Sequence, residues 1–335
     1  FAAGVLTIGT VYHIYSYAEL LRRPVEQLTQ QFQDLHQAGG SIVRIRQLLD
    51  TPDDVSDGSQ RPPVGAPAVA FEGVTFVYPT NEEGRKTNAL MGGASTGSSI
   101  DLSSAPALSQ LSFRLEAGQV LGVVGRTGSG KTTLARLLFR LYDPNKGTIR
   151  LGGVDIRTIQ REELRRIIGL ITQEVQLFAA SVRDNLTFFD PSVPDEHLRA
   201  LLHDLELGGW FESLPQGLDT ILHGGGLSAG EAQLLAFARV FLKDPALVVL
   251  DEASSRLDPA TDRRLERALD TLLRHRTGII IAHRLRTVQR ADQILVLDNG
   301  RAVEYGPRAA LAADPASRFS QLLHDSGGKG VLHEA

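Results

Sequence analysis

The 335-residue chain has no cysteine. That excludes thiol nucleophiles, Cys-ligated zinc, iron–sulfur clusters and any disulfide framework. Lysine is nearly as scarce: Lys86, Lys131, Lys146, Lys243 and Lys329 stand against thirty arginines, so a generic surface cation here is arginine and each lysine is conspicuous. A large excess of charge of one sign is also missing. A net charge of −4 argues against a nucleic-acid partner bound through a basic surface. With 42 % hydrophobic and 22 % charged residues the chain is neither disordered nor fibrous, and its length calls for two or three units.

Long apolar runs are few, with one exception. Phe1 to Ala18, FAAGVLTIGTVYHIYSYA, contains no Asp, Glu, Lys or Arg, and the first charges arrive at Glu19, Arg22 and Arg23. As a helix rising ~1.5 Å per residue it covers most of a ~30 Å hydrocarbon core, with arginines behind it in the positive-inside sense. Tyr12, Tyr15 and Tyr17 suit a membrane interface. The run lacks the basic leader of a signal peptide, so it reads as the tail of a longer membrane protein. A buried or amphipathic soluble helix is the other reading. Val25, Leu28, Phe32 and Leu35 continue at helical spacing, followed by Ile42, Ile45 and Leu48.

The segment 51–67, TPDDVSDGSQRPPVGAP, is rich in Pro, Gly and Asp and reads as a linker between residues 1–50 and a globular domain over 68–325, with 326–335 as a flexible tail. A low-complexity stretch from Thr80 to Pro106 reads as a surface insertion between strands at 68–77 and 108–115. Four further runs, 120–124, 167–171, 247–250 and 278–282, are apolar at successive positions, the mark of strands buried on both faces of a parallel sheet. They end in Gly125, in Thr172 and Gln173, in Asp251 and Glu252, and in His283. Ligands of open α/β sheets sit beyond the carboxyl ends of the strands, so four such ends describe one crevice.

The run Gly125 to Thr132, GRTGSGKT, fits GxxxxGKT between a strand and a helix-like run, Thr133 to Tyr142. Gly128 and Gly130 let successive N–H groups face phosphate oxygens at the positive end of the helix, Lys131 adds a point charge, and the Thr132 hydroxyl is suited to Mg²⁺. Asp251 is placed to hold Mg²⁺ through a water, and Glu252 to polarise an attacking water. Helix capping is the bland alternative for that acidic pair.

These motifs, in this order, resemble the ATP-binding cassette family, and more narrowly exporters that join a membrane domain and a nucleotide-binding domain in one chain. The resemblance runs from Phe1 to Leu323. It implies a P-loop NTPase of α/β class: a parallel-sheet core with an antiparallel β subdomain and an α-helical subdomain, preceded by the end of a transmembrane helix. It implies that Tyr78 stacks on adenine, and that Gly125, Arg126, Thr127, Gly128, Ser129, Gly130, Lys131, Thr132 and Thr133 form the Walker A loop. Gln173 then reaches Mg²⁺ and the attacking water. LSAGE, Leu227 to Glu231, stands where the signature LSGGQ belongs, with Ser228 and Gly230 toward the γ-phosphate of the opposite subunit. Asp251 and Glu252 are the Walker B pair, Asp258 lies in the loop between dimer halves, and His283 is the switch histidine. The implied cofactors are ATP and Mg²⁺. The implied activity is ATP hydrolysis driving export, in an integral protein of the bacterial plasma membrane with its nucleotide-binding domain in the cytoplasm. A non-transporting, nucleotide-gated dimer is the alternative.

Two positions depart from the pattern: Ala229 for a glycine and Glu231 for glutamine. Alanine restricts the backbone, and a carboxylate near a triphosphate adds repulsion. Intact Walker residues beside an altered signature favour a heterodimer with a second half-transporter over a homodimer.

Overall fold

The computed structural model describes residues 8–49, 55–79, 106–172, 175–222, 227–251, 259–282 and 285–326. The expected insertion and tail, apart from Pro106 and Ser326, lie outside these residues, as do Gln173, Glu252, Asp258 and His283. The chain divides into two compact units, Phe1–Asp54 and Val55–Ala335.

In the first unit, one helix, α1 (Ile8–Leu49), runs through Pro24 without interruption. The two helical stretches read on either side of Pro24 are therefore continuous. Phe1–Thr7 falls outside the described residues, and no described helix is long and apolar enough to cross a membrane.

The second unit opens with β1 (Val69–Phe76), β2 (Leu108–Leu115), β3 (Val120–Val124) and α2 (Lys131–Leu138). Next come β4 (Lys146–Leu151), β5 (Val154–Asp155), α3 (Arg161–Ile167) and β6 (Ile168–Ile171). Helices α4 (Val182–Thr187), α5 (Asp195–Asp204), α6 (Gly208–Glu212) and α7 (Ala229–Lys243) follow. The chain then alternates through β7 (Leu247–Asp251), α8 (Pro259–Leu273), β8 (Thr277–Ile281), α9 (Leu285–Val288) and β9 (Gln293–Asp298). It closes with β10 (Arg301–Pro307), α10 (Arg308–Ala313) and α11 (Arg318–Ser326).

Two sheets form. The strand order is β2-β1-β4-β5 in an antiparallel sheet and β10-β9-β3-β8-β7-β6 in a second sheet, which is parallel except for its edge strand β10. Every residue of β3 and β8 is buried, which is why all but Thr277 are apolar or glycine rather than alternating with polar residues. Period-two alternation decides which layer each side chain joins. Leu121, Val123, Leu247, Val249, Ile279 and Ile281 pack with the antiparallel sheet and α2, whereas Val120, Val124, Val248, Leu250 and Ile280 pack with α5, α7 and α8. The parallel sheet is thus the middle of three layers, as expected for an α/β core carrying a β and an α subdomain.

Two helices differ from the sequence reading. α2 starts at Lys131 and stops early because Arg140 takes a left-handed φ of 51°. Its fully buried guanidinium is held there by the Ser56 and Ile159 carbonyls and by Asp143. The apolar run Ala232 to Leu242 reads as a helix, and α7 begins three residues earlier, at Ala229, because Ser228-x-x-Glu231 forms a capping box. The Pro-rich segment behaves unlike a free tether from Val55 onward. Asp57 caps the Arg161 N–H at 2.8 Å, which draws its carboxyl below the usual range, and Ser59 and Gln60 donate to the Thr158 carbonyl. Gly58 lies so close to that backbone that a Cβ would sit 2.3 Å from Thr158.

Candidate nucleotide-binding site

β3 and β7 flank β8 and all three run parallel, so the turn after Val124, the end of β7 at Asp251 and the end of β8 lie at the same end of the sheet. At that end the sequence places a loop that only glycine permits. Gly128 and Gly130 have φ of 81° and 104°, and a Cβ on Gly130 would meet Leu108 Cδ2 at 2.7 Å and the Ala107 carbonyl at 2.8 Å. The N–H groups of Thr127, Gly128 and Gly130 have no hydrogen-bond partner among the described residues. Ser129 donates its N–H to Arg126 O at 3.1 Å. Its buried hydroxyl is the one orphaned buried side-chain polar atom among the described residues. A glycine turn that leaves N–H groups unpaired at the start of a helix is an anion cradle.

Lys131 closes the cradle. It is only 5 % exposed, and its Nζ donates to the carbonyls of Gly125 at 2.6 Å and Arg126 at 2.8 Å. Burial pushes its pKa below the ordinary lysine value, and the Asp251 carboxylate acts in the opposite sense. The ammonium is therefore a desolvated charge tethered to the loop, where attraction to an anion is screened less than in water. Thr132 is exposed at the first turn of α2, and Asp251 is half-buried at the end of β7. A hydroxyl with a single carboxylate, leaving phosphate oxygens and waters to complete an octahedron, is a donor set that fits Mg²⁺.

Thr133, the next residue of α2, is buried. Its Oγ1 lies 3.1 Å from the hydroxyl of Tyr78, which also accepts from Arg136 at 3.1 Å. Phe76 and Tyr142 meet the Tyr78 ring edge-on, with centroids 4.9 and 5.4 Å away, and the ring stays half-buried. Thr133 and Arg136 lie one helical turn apart on α2, so the phosphate-loop helix itself orients the aromatic expected to stack on a base. Arg136 was invisible to motif reading, because nothing local marks it among thirty arginines.

Ser228 and Gly230 sit at the start of α7. Ser228 Oγ accepts from the Glu231 N–H at 3.2 Å, while the Glu231 carboxylate accepts from the Ser228 N–H at 2.8 Å. Gly230 is required by packing, since a Cβ there would lie 2.1 Å from Thr261 Cγ2 on α8. None of the described hydrogen bonds links Ser228 or Gly230 to residues 125–133.

The three-layer fold and the glycine cradle with its buried lysine are those of a P-loop nucleotide-binding domain. Residues 108–255 match the family model described as ABC transporter. The chain is 35 % identical over 307 residues to the uncharacterized ABC transporter ATP-binding protein YfiC of Bacillus subtilis, covering 90 % of this chain and 47 % of YfiC. To the probable multidrug resistance ABC transporter ATP-binding/permease protein YheH of the same organism it is 34 % identical, covering 98 % of this chain and 46 % of YheH. The solved structure of a bacterial Atm1-family ABC exporter with ATP bound superposes with a TM-score of 0.70 at 31 % identity, over 97 % of this chain and 54 % of that one. The chain spans about half the length of these relatives.

Proposed function

We propose that this chain is the C-terminal part of an ABC exporter half-transporter, a membrane protein in which ATP binding and hydrolysis by residues 68–325 drive export of a substrate. The observation that carries this reading is the glycine cradle closed by Lys131, with the Asp251 carboxylate, at the end of β7, acting on that lysine. In it, backbone N–H groups and Lys131 hold the β- and γ-phosphates, and Tyr78 supports the base. Thr132 and Asp251 would hold Mg²⁺, with Gln173 as a further ligand. That ion neutralises phosphate charge when bound. Glu252 orients the attacking water, and His283 and Asp258 hold it and the γ-phosphate in place. Ser228 and Gly230 serve the ATP of a second subunit across a head-to-tail interface, in keeping with their having no described hydrogen bond to their own loop.

The partner we favour is a different half-transporter. Glu231 puts a negative charge at the helix end that should meet the γ-phosphate, so the site completed by this signature is the weaker of two. The full-length protein, purified alone in detergent, is expected to give little transport-coupled ATPase activity until its partner is added. A stable homodimer with robust coupled hydrolysis overturns the heterodimer, and full solubility without detergent overturns the exporter. In the assembled transporter, Glu231→Gln keeps the capping box, because the amide oxygen still accepts from Ser228, and removes only the charge. ATP affinity at the site it completes is expected to rise about two- to fivefold, the scale of one charge at a helix end. Equilibrium nucleotide binding checks this, and unchanged affinity means the carboxylate does not face phosphate.

A further inference from the structure

Arg239 lies on α7, ten residues beyond its first residue, Ala229. Its guanidinium is half-buried, and burial lowers its pKa. Among the described residues no carboxylate pairs with it. Instead it makes three bonds to neutral oxygens of one short segment: Nε to Asn185 O at 2.7 Å, Nη1 to Gln176 O at 2.8 Å and Nη2 to Asn185 Oδ1 at 3.0 Å. The Phe188 ring lies under it, 5.0 Å from the guanidinium carbon.

Asn185 is itself fully buried and grips the same segment. Its Oδ1 accepts from Phe178 N at 2.9 Å, and its Nδ2 donates to the carbonyls of Phe178, Ala180 and Ser181 at 3.0 to 3.2 Å. Arg239 and Asn185 therefore fasten the backbone of residues 176–181 to α7. Desolvating a cation against neutral carbonyls alone is costly, and an apolar side chain would fill the same volume more cheaply. A planar fork that reaches three oxygens is what this position uses.

The fastened segment starts three residues after Gln173, and the helix it is fastened to starts at the signature. We infer that Arg239 is a positioning residue that makes the placement of Gln173 and the engagement of Ser228 and Gly230 by phosphate a single event. This inference rests on the reading of the site as an ATPase. Lysine at 239 keeps the charge but not the fork, leaving Gln176 or Asn185 without its donor.

In the full-length chain assembled as it is isolated, Arg239→Lys is expected to lower kcat for ATP about tenfold, with KM within about twofold, as for a misplaced catalytic group. In a Gln173→Ala background the same change is expected to cost less than about twofold, because an effect exerted through Gln173 is then already lost. Unchanged kcat, or losses that multiply in the double variant, overturn the inference. Wild-type hydrogen exchange supplies a test independent of variant folding. On adding ATP with hydrolysis blocked, amides 176–181 and 228–234 are expected to gain protection together. Protection of one set without the other overturns the coupling. A wild-type assembly that hydrolyses no ATP refutes the ATPase reading itself, a result separate from both.

Discussion

Replacing Lys131 by methionine is expected to weaken ATP binding about a hundredfold, or about 2.8 kcal/mol at 1.4 kcal/mol per factor of ten. The lysine stem is buried and methionine refills most of that volume, so the protein should still fold. What disappears is the one ammonium tethered to the Gly125 and Arg126 carbonyls beside the cradle. Thermal unfolding checks this directly. At an ATP concentration a hundredfold above the wild-type Kd, ligand stabilises the wild type by about 2.7 kcal/mol and the variant by about 0.4 kcal/mol. An equal thermal shift in both proteins removes Lys131 from the phosphate site.

The same lysine gives a pH signature. Burial lowers its folded pKa below the unfolded value, so between the two the unfolded chain binds more protons than the native one. Without nucleotide, its contribution to stability therefore rises with pH across that window. ATP affinity moves the other way, since the phosphates need the protonated ammonium. Opposite slopes for the two quantities on the alkaline side, absent in Lys131→Met, identify this group.

The second large effect is on turnover. Glu252→Gln preserves shape and hydrogen-bonding capacity but removes the base, and phosphate release is expected to fall about 10²- to 10³-fold, the range for losing general-base assistance. ATP affinity should change less than about twofold, because in the proposed mechanism Glu252 acts on water rather than on the bound phosphates. A Lys131 variant loses binding and a Glu252 variant loses chemistry, so together they separate the two halves of the cycle. Undiminished hydrolysis by Glu252→Gln disproves its assignment.

The strands were legible because burial on both sheet faces forces uninterrupted apolar runs. All four predicted core strands match β3, β6, β7 and β8 to within a residue at either end. The phosphate loop was legible for an equally local reason: its glycines meet backbone constraints set within a few residues. Arg136, Arg140 and Arg239 were not legible. In a chain with thirty arginines nothing local marks the three whose partners, Tyr78, Ser56 and Gln176, lie 58, 84 and 63 residues away. The segment from Val55 to Gln60 was similar, since its composition says turn but not which carbonyls it will meet. Thr133 shows the reverse case, a motif residue whose hydroxyl the fold turns toward an aromatic ring.

By itself, then, the sequence determined the sheet's middle layer, the glycine loop before α2 and the absence of thiol chemistry. Each depends on periodicity, local backbone freedom or composition, which act over a few residues or over the whole average. Only the tertiary structure decided that Lys131 is desolvated beside Asp251, that Ser228 and Glu231 cap each other, and that Arg239 ties the segment after Gln173 to the signature helix. The lysine's state and the Arg239 clasp arise where distant segments share one low-dielectric interior, and the capping box arises where the chain actually begins its helix.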